Sequence, residues 1–579
     1  MTVENTARIK RQNERKISVI IGNPPYNAKQ ENFNQNNANQ YYQEIDKRIK
    51  DTYIKYGKAQ NQIVIYDMYT RFIRWATNRL SQNGIICFIT NNSFIDAKAF
   101  DGFRKCISQE FSDIYVIDLG GNVRANPKLS GTVHNVFAIQ TGVAIFILVK
   151  KNQDNQERCK VFYTRRPELE TSEKKLEFLA KTKLNQLDFL HIIPDQNNNW
   201  INQTDNDFDS LLPLIDKEVK SGKAETAVFK LFSSGLKTQR DEWVYDLSLE
   251  NLTEKIKYLI SIYQNTLKDP DFQDKFTIKW DADLSQYLKR KISKSFSGQQ
   301  IVKSLYRPYL KQYLYLDKHF NGRTYQWLTI YNDNDLENQY ITFKSFGSNR
   351  PFNCLATNCV AELHVTGANQ CLPLYTYNKK GDRIDNITDW GLTQFQTYYN
   401  DKTIEKIDIF YYTYAVLHDP IYRQKYEQNL KRDFPRILFY DNIKQWVKWG
   451  KQLMELHINY ETINPYPLNR VDLAETENTK PKPKLKADQI KNEIILDTVT
   501  TLTNIPKMAW DYRLGNRSAL EWILDQYKEK KPKDETIAKQ FNNYRFADYK
   551  EQVIDLLMRV CTVSVETIKI IQAMETSQH

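Results

Sequence analysis

At 579 residues, 41% of them apolar and 26% charged, the chain is globular and too long for one compact core, so three or more domains are expected. A formal net charge of +12 raises the local concentration of polyanions and suits a nucleic-acid partner. Seven cysteines without framework or CxxC spacing argue against a disulfide scaffold or a zinc knuckle, and no apolar run approaches the ~20 residues of a membrane span, so a cytoplasmic location is expected.

The first 16 residues are basic and polar, with no apolar core of a signal peptide. "ISVIIG" (17–22) is a short β-branched run that predicts a strand covered on both faces. It breaks into Asn23-Pro24-Pro25-Tyr26 and then a polar, Asn/Gln-rich insertion. Between 65 and 80, Met68, Phe72, Trp75, Ala76 and Leu80 recur at helical spacing, and Gly84 closes that unit. "IICFIT" (85–90) is the next strand, 96–108 a helix opening on Asp96, and 114–120 and 143–151 two further strands. Strand, helix, strand, helix, strand is the order of a parallel, doubly wound α/β sheet, here assigned to residues 1–160.

Residues 161–470 predict a mixed α+β region. Gly235 sits there in a loop beside Lys237, Arg240 and Asp241, and from 301 to 375 aromatic residues are set among basic ones. Helical blocks follow at 406–437 and 443–461. The last region, 471–579, predicts an exposed Pro/Lys-rich linker (476–489) and C-terminal helices ending with 549–574. His418 and His457 fall in helical blocks and read as structural, the seven histidines are dispersed, and no metal site is expected. There is no GxxxxGK[ST] phosphate loop, so a motor function is not expected of this chain.

The chemistry concentrates at Asn23-Pro24-Pro25-Tyr26. An exocyclic amine on adenine is a poor nucleophile because its lone pair is delocalised into the ring. Two acceptors beside its two hydrogens favour a tetrahedral nitrogen with an available lone pair. The Asn23 side-chain oxygen is one such acceptor, and the carbonyl of Pro24, whose φ is locked, is the other. Pro25 stiffens the loop, and Tyr26 offers a ring on which an extrahelical base can stack. A plain strand-ending turn has the same composition. The position directly after a buried strand, where open α/β sheets gather their functional groups, favours the catalytic reading.

With these residues in view, 17–150 resembles the catalytic half of a γ-type, S-adenosylmethionine-dependent adenine-N6 DNA methyltransferase, with NPPY as its hallmark. "YDMYTRFIRWA" resembles the following helix and "GIICFITNNSF" the next strand with its active-site edge. "HNVFAIQTGVAIFILVKK" resembles the segment that gives an aromatic contact to the flipped base. That resemblance makes Phe137 the second base-stacking candidate beside Tyr26; a Phe of the core is the alternative. "SSGLKTQRDEW", "LYRPYLKQYLYLD", "IFYYTYAVLHDPIYRQKY", "LPLYTYN" and "IPKMAWDYRLGNRSALEWILDQY" resemble the C-terminal part of the type ISP restriction–modification enzymes. This implies a target-recognition region bound to duplex DNA, with Tyr306, Arg307, Tyr313, Arg323 and Tyr325 as DNA-facing candidates. For any one of them a tyrosine-rich core with a solvated basic face is the alternative.

The same resemblance exposes a gap. The family holds its cofactor mainly through an earlier part of the sheet, and 16 residues leave no room for it before Ile17. A fold class follows: a partial Rossmann-like methyltransferase sheet, second half only, then mixed α+β and helical regions. S-adenosyl-L-methionine is the implied cofactor, with no binding residues assigned. The expected partner besides DNA is an upstream polypeptide carrying the nuclease, motor and cofactor-binding segments. One edge of "SVII" is expected to be bare. The rival functions are a non-catalytic recognition module or remnant of a split enzyme, and a methyltransferase acting on a protein glutamine or an RNA base.

Overall fold

The computed structural model describes residues 3–26, 41–58, 62–122, 133–152, 158–167, 169–201, 203, 206–332, 338–346, 351–378, 380–473 and 481–577. The chain divides into two compact units, Met1–Asn206 and Asp207–His579.

The first unit contains α1 (Val3–Glu14), β1 (Ile17–Gly22), α2 (Gln43–Ile49), α3 (Met68–Arg79), β2 (Leu80–Asn91), α4 (Asp101–Glu110), β3 (Asp113–Gly120), β4 (Val143–Lys150), β5 (Lys160–Arg165), α5 (Ser172–Lys181) and β6 (Leu190–Ile192). Its six strands form one sheet in the order β1-β2-β4-β3-β5-β6. β1 runs parallel to β2 and β3 parallel to β5, but β4 is antiparallel to both of its neighbours. The expectation of a wholly parallel sheet is therefore corrected. The described residues between β3 and β4 hold no crossover helix, and a strand that returns without one can come back antiparallel. Ala144, Phe146 and Leu148 of β4 are fully buried, so this strand is a central beam of the core. Phe146 and Leu148 each contribute about 1.5–3 kcal/mol through burial.

Two local expectations also give way. Gly84 is no breaker and lies inside β2: a Cβ there would stand 2.8 Å from the Ser18 carbonyl oxygen, so the glycine lets β1 close on β2. Asp96 does not cap the second helix. Single 3₁₀ turns occupy Asn92–Phe94 and Lys98–Phe100, and α4 starts at Asp101, whose carboxylate accepts from the Lys58 and Gly102 amides. The helix before it starts at Met68, with Asp67 accepting from the Tyr69 amide.

β1 ends the described sheet, and the bare edge expected of it is present among the described residues. Val19 is 56% and Ile21 77% exposed, although a β-branched run was expected to be covered on both faces.

In the second unit two four-stranded sheets dominate the first part. One joins Val360–Ala361, Ile301–Arg307, Leu310–Tyr315 and Tyr245–Asp246; the other joins Cys354–Thr357, Tyr340–Lys344, Asn369–Pro373 and Ser233–Ser234. A third joins Asn469–Asp472, Thr500–Thr503, Glu493–Asp497 and Pro483–Asp488. Pro483–Asp488 corrects the linker expected at 476–489 in its described part; residues 476–480 lie outside the described residues. One apolar core runs from Leu236 to Val565, so no break at 470 separates the last region from the one before it. Likewise β5 and β6 carry the first unit past the expected boundary at 160. The helices Lys406–Val416 and Ile443–Ile458 pack a second core, which the closing helix Phe546–Thr576 reaches through Met574.

His418 and His457 lie in that region, each 1% exposed. His457 Nδ1 pairs with the Tyr414 hydroxyl at 2.5 Å and Nε2 with Thr567 Oγ1 at 2.9 Å. His418 Nδ1 pairs with the Tyr414 carbonyl at 2.9 Å. Burial, helped by the nearby Arg423, holds His457 down to about 3 and His418 well below the usual imidazole range. Both are neutral struts, His457 on the helix Ile443–Ile458 and His418 in the turn that follows Val416.

Candidate active site and DNA-facing residues

The loop after β1 presents Asn23 and Pro25 to solvent, buries Pro24 and leaves Tyr26 half-buried. The Tyr26 hydroxyl donates to Asn23 Oδ1 at 2.7 Å and also lies 3.0 Å from the Ile89 carbonyl oxygen on β2. Its ring packs against the cluster of Ile117, Leu119 and Val143. Burial pushes the phenol up to about 12, so it is a neutral donor at physiological pH. Of the residues proposed for amine chemistry, Asn23 and Tyr26 are thus in direct contact, and Asn23 Oδ1 already accepts one hydrogen bond.

The antiparallel β4 explains what else gathers here. Val143, its first residue, pairs with Asn91 at the carboxyl end of β2 and with Gly120 at the carboxyl end of β3. The segment leading into β4 therefore arrives at the same end of the sheet as Asn23. Phe137 lies in that segment and is 41% exposed, which sets aside the core alternative for it. Its neighbour Val136 shares the Ile117–Leu119–Val143 cluster with Tyr26.

Sequence reasoning did not single out the polar groups that shape this end. Asn91 Oδ1 accepts from the amide and hydroxyl of Ser93, at 2.7 and 2.6 Å. Asp118, 4% exposed, accepts from Asn92 Nδ2, the Gly120 amide and the Tyr163 hydroxyl, and Arg165 stands 3.6 Å away. A signal existed in the polar pair Asn91-Asn92 directly after a buried strand, and in Asp118 before Gly120-Gly121.

In the second unit the five DNA-facing candidates separate into two kinds. Tyr306 packs on Tyr245 with ring centroids 4.7 Å apart and donates to Asp241; burial raises its phenol. Arg307 pairs with the buried Glu362 at 2.6 Å and lies over the Tyr306 ring. Tyr313 is half-buried and covered by Lys303, 3.4 Å from its centroid. These three have internal partners. Arg323 and Tyr325 are exposed, and the Arg323 backbone pairs with that of Lys237, also exposed. Arg240, named beside Lys237, is 2% exposed and bound to Asp281 and the Phe320 carbonyl, so it serves the core.

Residues 227–556 match the type ISP C-terminal specificity domain, and residues 2–124 match the Eco57I restriction–modification methylase. The chain belongs to the type ISP restriction–modification family. Among similar solved structures is a DrdV–DNA complex determined by cryoEM, 43% identical, which covers 99% of this chain and 58% of its own, with a TM-score of 0.84. The ATP-dependent type ISP enzyme LlaBIII bound to DNA is 31% identical over 98% of this chain and 38% of its own, with a TM-score of 0.82. A nuclease-deletion mutant of the type ISP enzyme LlaGI with a DNA substrate mimic is 32% identical over 98% of this chain and 45% of its own, with a TM-score of 0.79. No curated protein sequence matches. The type ISP chain thus carries a methylase domain and a specificity domain, and spans between 38% and 58% of the length of these relatives. No helix among its described residues is long and apolar enough to cross a membrane.

Proposed function

We propose that the first unit carries the amine-activating side of an adenine-N6 DNA methyltransferase and that the second recognises the target duplex. The observation that carries this reading is Asn23-Pro24-Pro25-Tyr26 at the carboxyl end of β1, with the Asn23 oxygen exposed and held by Tyr26. Asn23 Oδ1 and the Pro24 carbonyl accept the two amine hydrogens, in bonds that strengthen as the nitrogen becomes tetrahedral. Tyr26 and Phe137 supply rings for an adenine turned out of the helix. Arg323, Lys237 and Tyr325 are the DNA-facing groups best placed by their exposure; the two cations suit phosphates and the ring a sugar or base.

S-adenosylmethionine is the methyl donor this reading implies. The described residues suit the amine and not the donor's cradle, because the sheet ends at β1 where the other half of such a sheet would continue. A further polypeptide segment that pairs with β1 and covers Val19 and Ile21 is the proposed partner. The relatives, which are longer than this chain and bound to DNA, support both parts of the reading.

The test is transfer of tritiated methyl from S-adenosylmethionine to unmethylated phage-length DNA by the complete enzyme. Asn23→Ala is expected to lower the rate by about 10³-fold, the scale of one lost transition-state acceptor. Transfer that survives this change unaltered leaves recognition without the proposed chemistry.

A further inference from the structure

The turn that carries Phe137 is built at a cost that an ordinary loop does not bear. Asn135 is 2% exposed, and its amide is used in full. Nδ2 donates to the Gly121 carbonyl at 3.1 Å and to the Thr141 carbonyl at 2.7 Å. Oδ1 accepts from the Phe137 amide at 2.9 Å and the Ile139 amide at 3.4 Å. The next residue after Phe137, Ala138, is held at φ +54°, with its amide donating to the Asn135 carbonyl at 3.0 Å. Before the turn, the His134 carbonyl accepts from Lys175 Nζ at 2.7 Å, and Lys175 is fully buried. Gly121, at φ +76°, admits this segment: a Cβ there would stand 2.8 Å from the His134 carbonyl oxygen.

A buried amide and a buried ammonium are expensive unless every bond is made, and a left-handed alanine adds strain. What this construction displays is an apolar ring in solvent, which returns little hydrophobic free energy to the fold. On either side of that ring, Val136 and Ile139 are anchored in the apolar cluster that also holds Tyr26.

We infer that Asn135 is a positioning residue: it shapes the turn that holds Phe137 as the second aromatic wall of the pocket for the extruded purine. This rests on the amine-activation reading above. Asn135 touches no substrate; it acts through Phe137, by fixing where the ring stands before a base arrives.

The experiment is a double-mutant cycle in the complete enzyme, read as kcat and KM for methyl transfer to phage-length DNA. Phe137→Ala and Asn135→Ala are each expected to lower kcat by about 10–100-fold with KM for DNA within about threefold, and the double variant to be no slower than the slower single one. Gly121→Ala crowds the turn at the His134 carbonyl and at Asn135 while leaving the Asn135 amide and the Phe137 ring in place. It is expected to lower kcat in the parent and to have no further effect with Phe137→Ala, so the cycle can be closed if Asn135→Ala does not fold. Losses that multiply in the double variants overturn the proposal, as does an Asn135→Ala enzyme with kcat within about twofold of the parent. Asn23→Ala is run alongside. Multiplying losses with Asn23→Ala inactive sink the positioning role alone; transfer that persists in Asn23→Ala sinks the amine-activation reading and the proposal with it.

Discussion

Val19 and Ile21 stand in solvent on β1 of the first unit, while the second unit encloses His418 and His457 so completely that neither carries a charge. An exposed β-branched pair on a sheet edge contributes nothing to a core and invites pairing. A closed net of imidazole, phenol and hydroxyl groups excludes water and joins the helices Lys406–Val416, Ile443–Ile458 and Phe546–Thr576 through Tyr414, His457 and Thr567. The difference teaches that the first unit leaves an apolar strand edge open among its described residues, while the second spends its polar groups on locking helices together.

Substitutions can break or sharpen that contrast. Trp243 is fully buried and its indole donates to Asp534 at 2.7 Å, whereas Trp75 on α3 is 47% exposed. Trp243→Ala is expected to cost about 3–5 kcal/mol in urea unfolding and Trp75→Ala about 0.5 kcal/mol or less. Equal costs would remove the contrast. Next comes the division among the DNA-facing candidates. Arg307→Ala, which strips the buried Glu362 of its cation, is expected to lose about 1–3 kcal/mol of stability. Arg323→Ala should leave stability within about 0.5 kcal/mol and instead reduce the salt dependence of duplex binding by about one counterion. A change in folding alone at Arg323 would return it to the core group.

The buried histidines set the third expectation. Below about pH 6.5 the unfolded chain takes up protons on both imidazoles. The folded unit refuses that proton at His457 until about pH 3. The unfolded state thus binds more protons in this window, and stability falls as pH drops from 6.5 toward 3, by up to about 1.4 kcal/mol per pH unit from His457, with His418 acting in the same direction. His457→Gln should flatten that slope by about one proton, and an unchanged slope would show that other groups govern it. The smallest effect on folding belongs to β1. Val19→Lys with Ile21→Lys should alter the first unit's own stability by about 0.5 kcal/mol or less while preventing the proposed partner from joining the edge. Co-purification of that partner with the double variant would refute the proposed pairing.

Some of this was legible in residues alone. The ends of β1 at 17 and 22 are legible because a β-branched run is punctuated by Lys16 on one side and Gly22-Asn23-Pro24 on the other. The closing helix is legible nearly whole for a different reason: its apolar period is long and uninterrupted. The direction of β4 was not legible, since composition marks a strand but pairing decides which way it runs. Gly84 looks like a breaker until Ser18 is known to lie across from it. Pro483–Asp488 hides in a Pro/Lys run because Leu485 is its one deeply buried apolar side chain. At the candidate site, Asn23, Pro24, Pro25 and Tyr26 are legible by adjacency. Asn135 is not, because its partners Gly121 and Thr141 reach it only through the fold.

The hydrogen bond from Tyr26 occupies one of the two lone pairs of Asn23 Oδ1 before any guest arrives. On the amine-activation reading, Asn23 Oδ1 meets a guest with one donor already in place, so an arriving amine shares or exchanges that bond. Such a swap is nearly isoenergetic, one bond of about 1 kcal/mol for another. Grip is then a poor criterion for choosing a base at this loop. Under the proposed chemistry selection falls to fit: only an amine that reaches the Asn23 oxygen and the Pro24 carbonyl together gains more than the phenol gives up.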